Sequence, residues 1–176
     1  MAEPAPMVSG AEVAVLRLDE ETPEVARARA AVLRIRLAPG QRRFAGEAVE
    51  TLPRADADPN RTPFAVLRAD ETVGFGILDR LGILPELTDA PQRAVLLRAF
   101  YIAPEWQGRG VGRAACAALD PLVRAIAPEA GEILLTVNEH NPVAIRSYLS
   151  GGFERTGRRY QDGEAGPQLV LRRSVG

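Results

Sequence analysis

The chain has 176 residues, enough for one domain to bury a core without disulfide or metal staples. Its 22 basic and 23 acidic residues nearly cancel, which argues against nucleic acid or an acidic membrane as a partner. One cysteine, Cys116, excludes an intramolecular disulfide, and together with one histidine, His140, it leaves too few ligands for a structural zinc site. With no apolar run long enough to span a membrane and no export signal at residues 1–10, we expect a cytoplasmic protein without a metal.

The sequence predicts a flexible tail at residues 1–12 and a single domain at residues 13–176. Hydrophobic spacing and chain breakers predict these elements in the first half: a strand at 13–18, helices at 23–37 and 41–52, a loop at 53–63, and a hairpin of strands at 64–68 and 73–78.

In the second half the same signals predict a loop at 79–92, a buried strand at 94–102, a helix at 110–126, a strand at 132–138, a helix from 142 to 151, and strands at 153–157 and 168–172. Pro121 indicates a kink or an early end in the helix predicted at 110–126. Asn141 and Pro142 suit the cap and the first position of the next helix.

Three alternating glycines, Gly108, Gly110 and Gly112, connect the buried strand to the helix that follows it. Glycine adopts positive φ and has no Cβ, so successive N–H groups can turn toward one point and bind an anion. The start of the helix adds unpaired N–H groups and a positive dipole end, which suits a phosphate or pyrophosphate. Arg109 and Arg113 would add positive charge at the rim of this site.

Taken alone, the glycine turn fits other interpretations as well, including a tight connection that binds no ligand. A nicotinamide fingerprint requires the spacing Gly-x-Gly-x-x-Gly, which differs from the spacing found here, and a P-loop requires a Gly-Lys-Ser/Thr that the chain lacks. The turn therefore indicates an anion site without identifying its ligand.

A second segment narrows the interpretation. Gln107, Gly110 and Gly112 fit the pattern Gln/Arg-x-x-Gly-x-Gly/Ala, and a later segment fits Asn-x-x-Ala-x-x-x-Tyr followed by Gly-Phe, at Asn141, Ala144, Tyr148, Gly152 and Phe153. Together these segments resemble the GNAT superfamily of acetyl-coenzyme A dependent N-acetyltransferases. Gln41-x-x-Phe44, Val73-Gly74-Phe75 and Asp162-Gly163-Glu164 look similar to the spermidine acetyltransferase branch.

The resemblance implies an α/β (α+β) fold with a mixed, mostly antiparallel sheet of about six to seven strands, about four flanking helices and splayed central strands. It implies that the coenzyme's pyrophosphate rests on the turn formed by Gln107, Gly108, Arg109, Gly110, Val111, Gly112 and Arg113. The pantetheine arm would lie between the strands at 94–102 and 132–138, with the backbone of Tyr101 and Ile102 as partners. A bulge near the end of the earlier strand would leave an N–H group for the acetyl oxygen.

The resemblance also implies that Tyr148 is the general acid and that the acetyl group passes directly to the primary amine of a small molecule, for which a polyamine is the first choice. A homodimer is possible. Alternatives remain: Tyr148 as an ordinary buried aromatic, Asn141 as a helix cap rather than a coenzyme contact, a coenzyme-binding sensor without turnover, and an acetyltransferase for protein or peptide amines.

The general base stays unassigned. The strand at 94–102 contains no carboxylate, and the carboxylates of the loop before it, Asp79, Glu86 and Asp89, could act only through water. We expect His140 to be an exposed loop residue and Cys116 to be a buried, inert thiol.

Overall fold

The computed structural model describes residues 13–42, 44–161 and 166–176. The predicted tail at 1–12 and the Asp162-Gly163-Glu164 segment lie outside these residues. In chain order the described elements are β1 (Val13–Arg17), α1 (Pro23–Val32), α2 (Ala48–Asp56), β2 (Arg61–Arg68), β3 (Glu71–Asp79), α3 (Leu84–Leu87), β4 (Ala94–Ile102), α4 (Val111–Ala118), α5 (Asp120–Ile126), β5 (Glu132–Asn138), α6 (Pro142–Ser150), β6 (Glu154–Tyr160) and β7 (Gln168–Ser174).

Within the described residues, one seven-stranded sheet has the order β1-β2-β3-β4-β5-β7-β6. All neighbouring strands are antiparallel except β4 and β5, which are parallel. The predicted fold class, a mostly antiparallel mixed sheet flanked by helices, is therefore confirmed. None of the helices in the described ranges is both long and apolar enough to cross a membrane.

The parallel pair β4 and β5 separates soon after it begins. The two strands pair only at Ala94↔Glu132, Val95↔Ile133 and Leu96↔Leu134. Beyond Leu96, β4 continues to pair with β3, and beyond Leu134, β5 continues to pair with β7. The splayed central strands are thus present, and they leave a wedge between residues 97–102 of β4 and residues 135–138 of β5.

A bulge in β4 lies beside the wedge. Arg98 opposes Ile77 and Tyr101 opposes Phe75, so Ala99 and Phe100 together oppose the single residue Gly76. Ala99 has a φ of 52°, in the left-handed region that a residue with a Cβ rarely adopts. The bulge and the positive φ of Ala99 change the direction of the β4 backbone at this point. Bulges are common next to functional sites, where they redirect the chain in this way.

Helices cover both faces of the sheet. α4 and α6 pack on one face, which includes Val95 and Leu97 of β4. α1 and α2 pack on the opposite face over Phe75 and Ile77, and α3 covers Leu96 beside them. The wedge therefore opens between two helical layers, in the middle of the sheet.

The helices of the first half differ from the prediction. α1 has the expected start, since the Thr22 hydroxyl accepts a hydrogen bond from the Val25 N–H at 3.1 Å. It ends at Val32 instead of residue 37, because the next N–H groups bond three residues back and tighten the last turn. The predicted 23–37 helix was too long, although Ile35 and Leu37 are buried as its spacing required.

The second predicted helix, at 41–52, is wrong in position. Residues 39–42 form turns, and α2 runs from Ala48 to Asp56 because the Tyr101 hydroxyl accepts the Ala48 N–H at 2.8 Å and fixes its start. Pro53, predicted to begin a loop, lies inside α2. The carbonyl that Pro53 leaves without a donor belongs to Val49, whose side chain is 40% exposed, so water can hydrogen-bond it.

The break predicted at Pro121 is present. α4 ends at Ala118, and α5 begins at Asp120 with Pro121 in its first turn. The Arg173 guanidinium hydrogen-bonds both the Cys116 carbonyl and the Asp120 carboxylate at this junction. A basic side chain at the end of a helix offsets the carbonyls that lose their helical partners there.

Candidate functional site

The glycine turn (residues 107–113) has the shape of an anion site. Gly108 has a φ of 74° and Gly110 a φ of 80°, so both occupy the left-handed region, where a residue with a side chain is strained. A Cβ at either position would meet nothing within 4 Å, so this side of the turn is open. In the described part of the chain, no hydrogen bond uses the N–H groups of residues 108–113.

The turn leads into the first turn of α4. Gly110 caps this helix, and the first bond across its start runs from the Ala114 N–H to the Gly110 carbonyl. The preceding N–H groups, of Val111, Gly112 and Arg113, therefore have no partner within the helix. These N–H groups lie at the positive end of the α4 dipole. Their free donors and this partial positive charge both favour a negatively charged ligand.

Arginine and tryptophan side chains border the turn. The Arg109 guanidinium lies 5.0 Å from the centre of the Trp106 ring, and the Arg68 guanidinium lies 4.7 Å from it. Arg113 is exposed on the first turn of α4. Stacking orders an arginine while leaving its N–H groups able to bind a phosphate.

Gln107 acts on the turn through its side chain. Its Nε2 donates to the Ile102 carbonyl at 2.9 Å, and its amide exchanges two hydrogen bonds with the Gln41 amide, at 2.9 and 3.2 Å. Gln107 therefore fixes the turn against the end of β4 and against the segment between α1 and α2. Its contact with a coenzyme remains a prediction.

Tyr101 and Ile102 form the end of β4 beside the wedge. The Tyr101 side chain points away from the wedge, where its hydroxyl donates to the Ile35 carbonyl at 2.9 Å and accepts the Ala48 N–H. Burial raises the pKa of this phenol. The Tyr101 side chain is therefore committed to the protein, and the binding role of the Tyr101 and Ile102 backbone remains a prediction.

The sequence contains a local signal for the bulge at Gly76. A Cβ on Gly76 would lie 2.4 Å from the Phe64 ring and 3.1 Å from the Phe100 ring, so only glycine allows both rings to pack there. Glycine inside a strand often marks a bulge or a close approach. Ala99 itself gave no such signal, because alanine is not a residue expected at positive φ.

Tyr148 lies on α6 among aromatic side chains. Its ring centre is 6.3 Å from that of Phe100 and 5.7 Å from that of Phe153. Burial raises the pKa of the Tyr148 phenol, and the neighbouring Cys116 adds to this effect. Among the described residues, none hydrogen-bonds the Tyr148 hydroxyl, so the phenol is protonated at neutral pH and its proton is not committed to a protein acceptor.

Three other predicted residues take the structural roles expected of them. The Asn141 side chain accepts the Ala144 N–H at 3.3 Å and caps α6, while a coenzyme contact for it remains a prediction. The His140 side chain is 72% exposed. Cys116 is 2% exposed, and burial raises the pKa of its thiol to about 11, so it is a poor nucleophile at neutral pH.

Asp79 is not the loop residue that the sequence predicted. It ends β3, is 1% exposed, and pairs with the guanidinium groups of Arg61 at 3.2 Å and Arg98 at 3.1 Å. The Leu81 N–H also donates to it at 2.9 Å. These bonds hold the carboxylate in place and leave it unsuited to act as a general base.

No metal-binding group of three or more His, Cys, Asp or Glu side chains occurs among the residues that the structure describes. The features that remain are the open N–H groups of the glycine turn, the wedge with its bulge, and the Tyr148 phenol on the face of the sheet covered by α6. This arrangement suits a ligand with a phosphate at one end and a long arm at the other.

Comparison with known sequences gives two matches. Residues 20–153 match the Acetyltransferase (GNAT) family. The chain is also 33% identical, over 131 residues, to the uncharacterized N-acetyltransferase YbbJ of Bacillus subtilis (strain 168), and the match covers 74% of this chain and 81% of that protein.

Solved structures share the fold. The aminoglycoside acetyltransferase AAC(6')-Ib, in complex with paromomycin and acetyl-coenzyme A, superposes with a TM-score of 0.70 at 21% identity, covering 93% of each chain. The spermidine N-acetyltransferase of Vibrio cholerae, in complex with coenzyme A and spermine, superposes with a TM-score of 0.60 at 17% identity, covering 94% of this chain and 96% of that one. At these identities the likeness concerns the fold.

Proposed function

Because the chain belongs to the acetyltransferase (GNAT) family, we propose that it transfers an acetyl group from acetyl-coenzyme A to the primary amine of a small molecule. The observation that carries this proposal is the set of unused N–H groups at residues 108–113, at the open end of the wedge. A diphosphate accepts hydrogen bonds from such groups, and the wedge continues from them as a slot for an extended arm.

Acetyl-coenzyme A supplies the acetyl group as a thioester, which a neutral amine attacks. An amine with a pKa near 10.4 is neutral in only about one molecule in 10³ at pH 7, so its deprotonation costs about 4 to 5 kcal/mol. Asp79, the carboxylate that bonds Arg98 of β4, is held by two arginines. We therefore propose that water, rather than a side chain of β4, takes the proton of the amine.

Tyr148 is proposed to supply the proton that the departing thiol needs. With ordinary pKa values, moving a proton from a phenol near 10 to a thiolate near 8.5 is unfavourable by about 2 kcal/mol. Burial raises the pKa of Tyr148 and makes a separate proton transfer harder still. The phenol proton must therefore move as the carbon–sulfur bond breaks, in one concerted step.

The transfer is proposed to be direct, without an acetylated enzyme. The chain has one cysteine, Cys116, and its thiol is buried with its pKa raised to about 11. We expect a Cys116→Ala variant to keep its acetyl transfer rate within about twofold, because a thiol protonated at neutral pH is a poor acyl carrier. A loss of burst-phase acetyl-enzyme together with turnover in that variant would show a covalent route instead.

The acceptor is the least defined part of the proposal. Polyamines are the first candidates, since the narrower resemblance to the spermidine branch indicates them, and peptide amines are the alternative. The homodimer and the cytoplasmic location also remain predictions of the sequence.

Thiol release tests the proposal. Purified protein would be mixed with acetyl-coenzyme A and, in turn, with polyamines, aminoglycosides, amino acids and peptides. We expect release of free thiol that depends on one class of amine and disappears in a variant that cannot bind the coenzyme. Tight coenzyme binding with no release on any amine would instead indicate the sensor that lacks turnover.

A further inference from the structure

At the closed end of the wedge, residues of β4 and β5 lie side by side on the face of the sheet that α3 covers. Leu96 and Leu134 form the last pair of β4 with β5, and both belong to the cluster beneath α3. Side chains alternate along a strand, so the next residues on the same face are Arg98 on β4 and Thr136 on β5. Their backbone positions flank the point at which the two strands separate, and the Arg98 side chain extends toward Asp79 at the end of β3.

Arg98 is held in place yet remains accessible. Its Nη1 donates to Asp79 Oδ2 at 3.1 Å, and Asp79 is itself buried and fixed by Arg61. Gly82 closes over this pair, since a Cβ there would lie 2.7 Å from Asp79 Oδ2. The Arg98 side chain is nevertheless 37% exposed, and among the described residues no acceptor bonds its Nε or Nη2.

Polar side chains continue the same face beyond Thr136. Asn138 opposes Gln168 of β7 in the register, and both lie on the face of Leu134 by alternation. Asn138 is 4% exposed and its Oδ1 accepts the His140 N–H at 2.8 Å, so the accessible strip consists of Arg98, Thr136 and Gln168 and is here called the polar floor. A polar strip between two apolar clusters is a surface suited to a polar ligand.

Charges around the polar floor favour an anion over a polycation. Asp79, the carboxylate that contacts the polar floor, is paired with Arg98; beyond it, Asp89 after α3 pairs with Arg158 at 3.0 Å, and Glu139 after β5 pairs with Arg159 at 2.6 Å. Glu86 of α3 is exposed on the side away from the buried Leu84 and Leu87. Within the described residues, the polar floor thus contains the Arg98 guanidinium, and the carboxylate that contacts it, Asp79, is already ion-paired.

From this placement we infer that the acceptor amine carries an anionic group, a carboxylate or a phosphate, which Arg98 binds at the closed end of the wedge. The inference rests on the proposed acetyl transfer to an amine, and for the acceptor it favours an anionic class over the polyamines that the family resemblance indicates. A planar guanidinium binds either anion through two parallel hydrogen bonds. Arg98 is then a specificity-determining residue, and the anchored anion leaves the amine of the same small molecule facing the wedge.

Matched acceptors test the inference in the intact enzyme. Each pair consists of an amino acid and the amine that remains when its carboxylate is removed: lysine with cadaverine, ornithine with putrescine, and phenylalanine with phenethylamine. O-phosphoethanolamine and ethanolamine form the phosphate pair. We expect kcat/KM to be higher for the anionic member by about 10- to 100-fold, and a difference confined to the amino acids or to O-phosphoethanolamine identifies the anion.

The variant Arg98→Gln should remove this preference. It keeps an N–H donor for Asp79 and removes the charge, so KM for the anionic member should rise about 10- to 100-fold while the neutral member is unaffected. Calorimetric titration of the anionic acceptor into protein saturated with coenzyme A should show the same loss of affinity. Arg93→Gln, at an exposed arginine just before β4, is the matched control and should change nothing.

The outcomes separate the two proposals. Acetylation of polyamines and other amines without preference for the anionic members overturns this inference and leaves the proposed function intact, as does an Arg98→Gln enzyme with unchanged KM. If Arg98→Gln fails to fold, Arg98→Lys keeps the charge and should retain part of the preference; a complete loss on anionic and neutral acceptors alike would show a structural role. Absence of transfer to every amine overturns both proposals.

Discussion

Two loops beside the end of β4 use their polar groups in opposite ways. In the glycine turn, the N–H groups of residues 108–113 have no partner among the described residues. The Gln107 side chain connects the turn to the end of β4 by donating to the Ile102 carbonyl. Between α1 and α2, described polar groups bond within the protein: the Tyr101 hydroxyl donates to the Ile35 carbonyl, and the Glu47 carboxylate accepts the Leu37 N–H at 2.8 Å. One loop presents main-chain donors to a ligand, and the other is held by side-chain tethers.

This contrast separates binding from stability. A change in the glycine turn should weaken coenzyme binding more than it lowers stability, because the N–H groups of the turn contribute little to the packed protein and only backbone strain at Gly108 or Gly110 adds a cost. A change in the tethers should lower stability first, because it leaves buried polar groups without partners.

Gly110→Asp should have the largest effect. Gly110 has a φ of 80°, so any side chain is strained there, and a carboxylate would occupy the space where a phosphate accepts hydrogen bonds. We expect coenzyme A affinity, measured by calorimetry, to fall by about 100-fold or more.

Gly131→Asp is the matched control, because a Cβ at Gly131 also meets nothing within 4 Å and the residue lies just before β5, away from the turn. Gly110→Ala separates strain from charge and should cost an intermediate amount. Unchanged affinity in Gly110→Asp would remove the turn from the site.

Tyr148→Phe should have the next largest effect. Removing the proposed general acid should lower kcat by about 10²-fold with little change in coenzyme affinity. Because burial raises the pKa of this phenol, its active protonated form persists as the pH rises, and ionisation of Tyr148 should cause no loss of kcat below pH 10. A kcat that stays at the wild-type value in Tyr148→Phe would contradict the assignment.

Tyr101→Phe should lower stability instead of activity. The change leaves the buried Ala48 N–H and Ile35 carbonyl without their partner, at a cost of about 1 to 3 kcal/mol in the free energy of unfolding. Tyr148→Phe is the comparison variant, since no described residue bonds that hydroxyl, and it should unfold at nearly the wild-type urea concentration. Equal stability of the two variants would show that the tether is not needed.

Gln41→Ala should have the smallest effect. The Gln41–Gln107 amide pair is exposed, so its loss should change the free energy of unfolding by less than about 1 kcal/mol. Gln107 keeps its bond to the Ile102 carbonyl, and coenzyme affinity should stay within twofold. Gln92→Ala, at another exposed glutamine, is the control; a large loss of affinity in Gln41→Ala alone would make the segment part of the coenzyme site.

The second half of the chain could be predicted from sequence because local signals agree there. β4 and β5 have the predicted bounds, α6 begins after its Asn141 cap, and Pro121 divides the helix as expected. The signals for buried strands, helix caps and proline breaks lie within a few residues of the elements that they determine. A single sequence is therefore enough to predict these elements.

The elements of the first half were harder to predict from sequence, because contacts between residues far apart in the chain determine where they begin and end. α2 begins at Ala48 because the Tyr101 hydroxyl, 53 residues away, accepts its first N–H. The bulge at Ala99 likewise depends on the packing of Phe64 and Phe100 over Gly76. Arg98, too, gains its position from Asp79 on the neighbouring strand, a pairing that local spacing does not reveal.

A crystal structure of the protein with coenzyme A would show directly whether the glycine turn binds the coenzyme. We expect the diphosphate within hydrogen-bond distance of the N–H groups at residues 108–113, with the pantetheine arm between β4 and β5. A diphosphate bound elsewhere, or an arm that lies outside the wedge while those N–H groups bond to the protein, would contradict it.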